Sequence, residues 1–414
     1  MVPEPMSTPW LRIPGNAAAR RWLTRPDCRT VLVVVPHMTA GTRLADVLPL
    51  LEADHRVQVL FTVPTTADMW PGVEDYVRSW DGVLVPWHQA LRTRFDLALA
   101  ASYQEIDKID APVLVLPHGV AERSRVSPRD PETVADGSSR MRDLVVRDGR
   151  VVPAGVVFAR EQDARRFRAD CPEAASRALV VGDLCLDRIR ASTPYRDHYR
   201  RALGADDDRR IVLVSSTWSG WSLFGTGECL LTELVRQLPA DEYRVVAALH
   251  PLIWAAHGAW QVRAWLAAAL DEGLVLLRPE EGWRAGLVAA DHLVGDHGSV
   301  TLYGAALGLP VLLHPAAGQD VRPDSPAGHL WRVARTIDPD RPLPAQLRAS
   351  GTACPSHGTA WAHRISSAHG TAGVRLRREM YRLLGLSEPA RDVPDSPVPC
   401  PVLATREPQR RADP

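Results

Sequence analysis

The sequence predicts an α/β protein of two domains, each an open parallel sheet covered by helices, on three observations. Short apolar runs rich in β-branched residues recur along the chain and alternate with longer helix-forming stretches, as repeated strand-helix-strand units do. The runs are apolar throughout rather than at every second position, which suits strands buried on both faces. The 414 residues, 45% hydrophobic and 24% charged, fit a globular chain of two or three domains at roughly 100–200 residues each.

A polar, proline-containing leader, 1–27, precedes the first strand, Thr30 to Val35. Pro36 to Thr42 then turns into a helical stretch through Leu51, and Val57 to Thr62 is the next strand. Further strands are expected at Gly82–Val85, Asp96–Ala100 and Pro112–Leu116, followed by a polar loop over Ala121–Gly137. Arg147-Asp148-Gly149-Arg150 has the Asp-Gly signature of a hairpin turn. Leu179 to Gly182 closes the first Rossmann-type domain, placed at 28–190, and the charged stretch 191–210 is the expected connection. The second series runs from the strand Ile211–Val214 through a helix at Glu228–Leu238, a strand at Val245–Leu249 and a helix at Trp260–Leu270. Strands at Leu274–Leu277, His292–Val294 and Pro310–Leu313 complete a second Rossmann-type domain at 211–386. Two such halves imply a cleft. The last 28 residues, 387–414, hold seven prolines and no apolar periodicity, the composition of a disordered tail.

Composition excludes several classes of function. Basic and acidic residues number 49 each, so no global field draws the chain to nucleic acid. Lys108 is the only lysine, a bias attributed to base composition. Met1 to Ala19 lacks a basic start followed by an apolar core, and no run approaches the length of a membrane span. A cytoplasmic chain is expected, with peripheral membrane contact left open. Cys28, Cys171, Cys185, Cys229, Cys354 and Cys400 form no CxxC pair, so neither a zinc site nor a disulfide framework is indicated.

The densest chemistry lies between Leu293 and Pro310: a strand, the turn Asp296-His297-Gly298-Ser299, a helix of small residues and another strand. A helix N-terminus presents free N–H groups and the positive end of its dipole to a phosphate. Gly298 allows close approach, and Ser299 or Thr301 can supply a hydroxyl; alternatively Ser299 simply caps the helix, and His297 packs as an aromatic would. His118 follows the strand ending at Leu116, and His250 follows the strand ending at Leu249. Carboxyl ends of parallel strands face ligands, and an imidazole there can take a proton from a hydroxyl or donate to a phosphate; solvent exposure or a turn hydrogen bond is the plain alternative. His37, after the first strand, is a weaker candidate of the same kind. Ser215-Ser216-Thr217-Trp218 can meet a diphosphate with hydroxyls and amides, with Trp218 and Trp221 as a wall, or can be an ordinary strand-to-loop transition.

In order, His118-Gly119, Gly182-Asp183-Leu184-Cys185-Leu186-Asp187, Ser215-Ser216-Thr217-Trp218, Leu249-His250-Pro251 and Asp296 to Ser299 followed by Gly308-Leu309-Pro310 resemble the CDP-glycerol glycerophosphotransferase family. The resemblance covers roughly residues 110–320 and implies the two-Rossmann GT-B architecture. It implies that His118 is the base activating an acceptor hydroxyl, that His250 is a second catalytic histidine contacting the donor diphosphate, and that Thr217, Trp218, Asp296, Gly298, Ser299 and Thr301 line the donor site. The family's Asp-Tyr-Ser-Ser appears here as Asp296-His297-Gly298-Ser299, Tyr303-Gly304 stands where its helix has an acid, and Pro117 stands where a tryptophan precedes its histidine.

The expected activity is transfer of a glycerophosphate-like or glycosyl group from a CDP- or UDP-linked donor to an acceptor hydroxyl, with no tightly bound cofactor and no metal, since no Asp-x-Asp stands at a strand end. Two other readings keep the scaffold: a nucleotide-sugar epimerase, which needs cleft carboxylates for proton removal, and an inactive binding or regulatory protein, which the altered Asp-His-Gly-Ser turn favours.

Overall fold

The run after the leader forms β1 (Arg29–Val34), whose side chains alternate between two buried clusters. Val31 and Val33 enter one with Leu97, Leu99 and Leu114; Leu32 and Val34 enter the other with Leu60, Ala98 and Val113. A strand covered on both faces needs apolar residues at every position, which is why the run does not alternate. The computed structural model describes residues 10–13, 23–65, 70–120, 137–205, 208–226, 230–315, 321, 323–393 and 396–404. The expected loop 121–136, Cys229 and the end of the tail beyond 404 lie outside the described residues.

The chain divides into two units: unit 1 from residues 1–118, 135–184 and 370–394, and unit 2 from 119–134, 185–369 and 395–414. Unit 1 continues with β2 (Val57–Thr62), β3 (Val83–Leu84), β4 (Leu97–Ala100) and β5 (Val113–Val115). An antiparallel hairpin follows, β6 (Val146–Arg147) and β7 (Arg150–Val151). Asp148 and Gly149 at its tip both have positive φ, 49° and 72°, as the tight turns favoured between paired strands require. Next come β8 (Pro153–Phe158) and β9 (Ala178–Val180). The seven-stranded sheet has the order β3-β2-β1-β4-β5-β8-β9, and each neighbouring pair is parallel.

Unit 2 repeats the scheme with β10 (Arg210–Ser216), β11 (Tyr243–Leu249), β12 (Val275–Leu276), β13 (His292–Gly295), β14 (Val311–Leu313) and β15 (Arg335–Thr336). Its six-stranded sheet has the order β12-β11-β10-β13-β14-β15, again wholly parallel. This is the doubly wound order with a single reversal point, so the expected pair of Rossmann-type units is observed. Alternating side chains of β10 again feed two clusters, Ile211 and Leu213 into one, Val212 and Val214 into the other.

The unit boundaries differ from those expected. The connecting stretch 191–210 carries the helix Arg196–Ala202, whose Tyr199 is buried in unit 2 with Leu203, while Arg196 and Arg200 pair with Asp291. The helix Ala372–Leu384 belongs to unit 1: Ala372, Leu376, Met380 and Leu384 recur every fourth residue and pack against the first sheet. Within the expected disordered tail, the described stretch 396–404 is held in place. Val398 is 3% exposed and accepts a 2.7 Å bond from Tyr199 Oη, and Leu403 bridges to Leu277. Backbone bonds and one buried valine fix a segment that has no periodic pattern to announce it.

Candidate functional site

In unit 2 the strand order reverses between β10 and β13, and an open parallel sheet leaves its ligand crevice at the carboxyl ends of such strands. Thr217 follows β10 and Asp296 follows β13. Asp296, 1% exposed, ties the two loops together. Its Oδ2 accepts from Thr217 N at 2.7 Å, Thr217 Oγ1 at 2.8 Å and Leu223 N at 3.3 Å, and its Oδ1 accepts from Gly298 N at 3.1 Å. The carboxylate expected to touch a ligand is thus taken up by the chain's own donors, as a brace beneath the turn. Gly298 is fixed by the same crowding, since a Cβ there would lie 2.8 Å from Thr217 Cγ2.

The helix Ser299–Ala306 starts directly after this turn, and its N-cap residue Gly298 supplies no side-chain cap. Its first N–H groups and positive dipole end therefore suit an anion. Three polar atoms beside it are buried and have no hydrogen-bond partner among the described residues: His297 Nδ1, Thr301 Oγ1 and Trp331 Nε1. Thr301 is 0% exposed. All three residues line one crevice with Leu302, Ala327 and Leu330, too narrow to admit a water molecule. A buried polar group without a partner costs about 1–3 kcal/mol, and three around one crevice call for a reason. His314, just past β14, adds a fourth buried atom of this kind, Nδ1. Burial pushes its imidazole below the ordinary histidine value, with the Asp296 charge acting in the opposite direction.

His250 caps the helix Pro251–Trp265: its Nδ1 accepts from Leu252 N at 3.1 Å, and its own N–H donates to Ser216 O at 3.0 Å. With Nδ1 serving as acceptor, the neutral ring carries its proton on Nε2. Trp218, expected as a wall, is 58% exposed.

His118 belongs to unit 1, where it is exposed at the end of the β5 loop. Its carbonyl accepts from Arg43 Nε at 3.1 Å, and its ring meets that of His37 edge to face at 5.7 Å. The next residue, Gly119, belongs to unit 2, and a Cβ on it would lie 2.7 Å from Ser299 Oγ, so any larger residue there would make the Ser299 hydroxyl turn away. Thr217, His250, Asp296, Gly298, Ser299 and Thr301 gather around the carboxyl ends of β10, β11 and β13, all within unit 2.

Two polar residues near the turn escaped the sequence reading, His314 beside it and Trp331 in the crevice. His314-Pro315 after β14 repeats the His250-Pro251 pattern after β11, so a signal for it existed. Trp331 lies on the helix Pro326–Val333, outside any motif. Among the described residues no group of three or more His, Cys, Asp or Glu side chains is placed to hold a metal ion, and no helix is long and apolar enough to cross a membrane.

Solved structures share this fold. An alanine-for-histidine variant of the wall teichoic acid polymerase TagF aligns with a TM-score of 0.56 at 11% identity, over 86% of this chain and 89% of that chain. An asparagine-for-histidine variant of TagF soaked with CDPG gives 0.54 at 11% identity, over 86% and 88%. Anabaena Alr3699/HepE in complex with UDP-glucose gives 0.48 at 14% identity, over 86% and 99%. No protein-family model and no curated protein matches the sequence. The two parallel-sheet units and the TagF likeness make the architecture GT-B-like, as the resemblance to the CDP-glycerol glycerophosphotransferase family implied.

Proposed function

We propose that this chain is a transferase that moves a group from a nucleoside-diphosphate-linked donor to an acceptor hydroxyl, and that the turn from Asp296 to Thr301 holds the donor's diphosphate. One observation carries this reading: a helix N-terminus at the strand-reversal point whose N-cap residue, Gly298, supplies no side-chain cap, flanked by buried hydrogen-bonding atoms with no partner among the described residues. A diphosphate would supply acceptors for the helix N–H groups, the Ser299 hydroxyl and the Nε2–H of His250, and for the Thr301 hydroxyl only if the crevice around it, closed to water in the ligand-free chain, opens on binding. These donors would stabilise the charge left on the nucleotide as its bond to the transferred group breaks. His118 is the assigned base. It takes the acceptor's proton as the acceptor oxygen forms its bond to the transferred phosphorus or sugar carbon.

The test is thermal stabilisation by CDP, UDP, GDP, ADP and TDP, with CDP first because a TagF structure of this fold was soaked with CDPG. A ligand at ~100 times its Kd stabilises by about 2.7 kcal/mol, which is roughly 5–10 °C for a unit of this size. Ser299→Ala and His250→Asn should lose the shift, and asparagine keeps the helix cap. Thr301→Val should raise the melting point of the ligand-free protein, because it removes a buried hydroxyl without a partner, and should weaken the nucleotide shift. If none of the five diphosphates stabilises the wild-type chain, the donor site is wrong.

A further inference from the structure

We infer that His37 is a positioning residue for His118; the inference rests on the reading of His118 as the base. His37 follows β1, the strand beside which the order of the first sheet reverses. It adopts the extended backbone of an N-cap, with φ −155° and ψ 162°, and its Nδ1 accepts from Ala40 N at 3.1 Å to open the helix Met38–Val47. Its ring also packs on Trp70 at 5.1 Å with a tilt of 33°. A cap on one side and an indole on the other leave this imidazole a single orientation. It is half-buried, whereas His118 is exposed.

The helix Met38–Val47 and its N-cap residue each reach His118. Arg43 holds the His118 carbonyl through Nε at 3.1 Å, and His37 meets the His118 ring at 5.7 Å with the planes at 83°. An exposed histidine on a loop samples several rotamers, and a base is useful only when its nitrogen stays within hydrogen-bond reach of the proton it takes. The helix and its N-cap residue thus fix both the backbone and the ring of His118. Nδ1 of His37 accepts the Ala40 N–H, so the neutral ring beside the base carries its proton on Nε2. Arg43, which holds the His118 carbonyl, is itself paired with Asp46, Nη1 to Oδ2 at 3.8 Å.

Capping and positioning separate in one substitution. Asparagine is as good an N-cap as any residue, so His37→Asn keeps the helix and removes the ring. The experiment compares wild type, His37→Asn and His37→Ala as full chains labelled with [15N]histidine, the His118 signals being assigned by their loss in His118→Gln. The expected result is that His37→Asn retains the wild-type melting point yet shifts the His118 imidazole nitrogens and their titration midpoint, while His37→Ala does both and melts lower. With CDP-glycerol as donor probe, kcat should fall on the order of tenfold or more in His37→Asn, with KM for the donor and stabilisation by CDP unchanged. His118 signals and midpoint that are identical in wild type and His37→Asn would overturn the inference and leave His37 a cap. A wild-type chain that no diphosphate stabilises removes the donor reading but leaves the coupling of the two rings measurable, so the two failures are separable.

Discussion

Replacing Asp296 with alanine tests whether the turn after β13 is braced as the geometry says. The carboxylate accepts four hydrogen bonds from Thr217, Leu223 and Gly298 at 2.7 to 3.3 Å, and the residue is 1% exposed. Hydrogen bonds to a charged group contribute about 1.5–3 kcal/mol each. Donors sharing one acceptor do not add, and water can enter the space that alanine leaves. The loss is therefore set by the buried donors left without an acceptor, about 2–4 kcal/mol in all. Asp296→Asn keeps one acceptor oxygen but turns an amide toward existing donors, and about 2 kcal/mol is expected. At 2–4 °C per kcal/mol for a unit of this size, the alanine variant should lower the unit 2 melting transition by roughly 10 °C. Calorimetry resolves that transition if the two units melt separately, and urea unfolding followed by far-UV circular dichroism gives an independent free energy. An alanine variant within about 0.5 kcal/mol of wild type would mean that the carboxylate does not hold the β10 and β13 loops together, and the account of the turn would fall with it.

Two further substitutions probe packing and charge away from the turn. Gly308 has φ +82°, and a Cβ on it would lie 2.2 Å from the Cys354 carbonyl oxygen; Gly308→Ala should cost at least about 2 kcal/mol, seen as a lower urea midpoint, and an unchanged midpoint would refute the close approach. In unit 1 the Arg56 side chain, with Tyr381 adding a bond, holds the Asp54 carboxyl well below the usual carboxylate range against the opposing effect of burial, and the Tyr381 hydroxyl is pushed up to about 12. A carboxyl whose folded value lies below the unfolded value of about 3.9 contributes stability above that pH and loses it as pH falls toward the folded value. Asp54→Asn should therefore cost about 1.5–3 kcal/mol at pH 7 and flatten the fall in stability below pH ~4; acid unfolding curves of the two proteins that stay parallel to pH ~2 would refute the assignment.

The strands were legible because each long apolar run has one explanation in this fold: burial on both faces of a parallel sheet. β1, β2, β10 and β11 lie where their valine and leucine runs predict. β8 was not separated from the hairpin before it, because Val151 and Val152 continue into Pro153 to Phe158 without a break in composition. Unit membership was less legible than secondary structure. Nothing local in Ala372 to Leu384 says that its apolar stripe packs on a sheet some 300 residues earlier in the chain, and the contacts of Val398 are backbone bonds that side-chain pattern does not encode. Of the candidate site, the positions were readable and the roles less so. Histidines at strand ends stood out, but the same imidazole can cap a helix, donate or accept, and only the bond from Leu252 N fixes Nε2 as the donor of His250.

Asp296 shows how the site can serve an anion with a carboxylate at its centre. An exposed aspartate at a helix N-terminus would compete with a diphosphate for the same N–H groups and repel it. Here the carboxylate is withdrawn below the turn, and its charge is spread over three backbone N–H groups and one hydroxyl. On the proposed reading the helix N–H groups that follow face the diphosphate, and the loops carrying them are held before any ligand arrives. Donors fixed in advance lose little freedom on binding. The buried atoms of His297, Thr301 and Trp331 have the opposite energetics: each weakens the ligand-free protein and regains a partner only when something enters. A braced turn beside polar groups without partners stores in the folded chain part of the free energy that a donor would release on binding. That is why a single hydroxyl-to-methyl exchange at Thr301 should move stability and affinity in opposite directions.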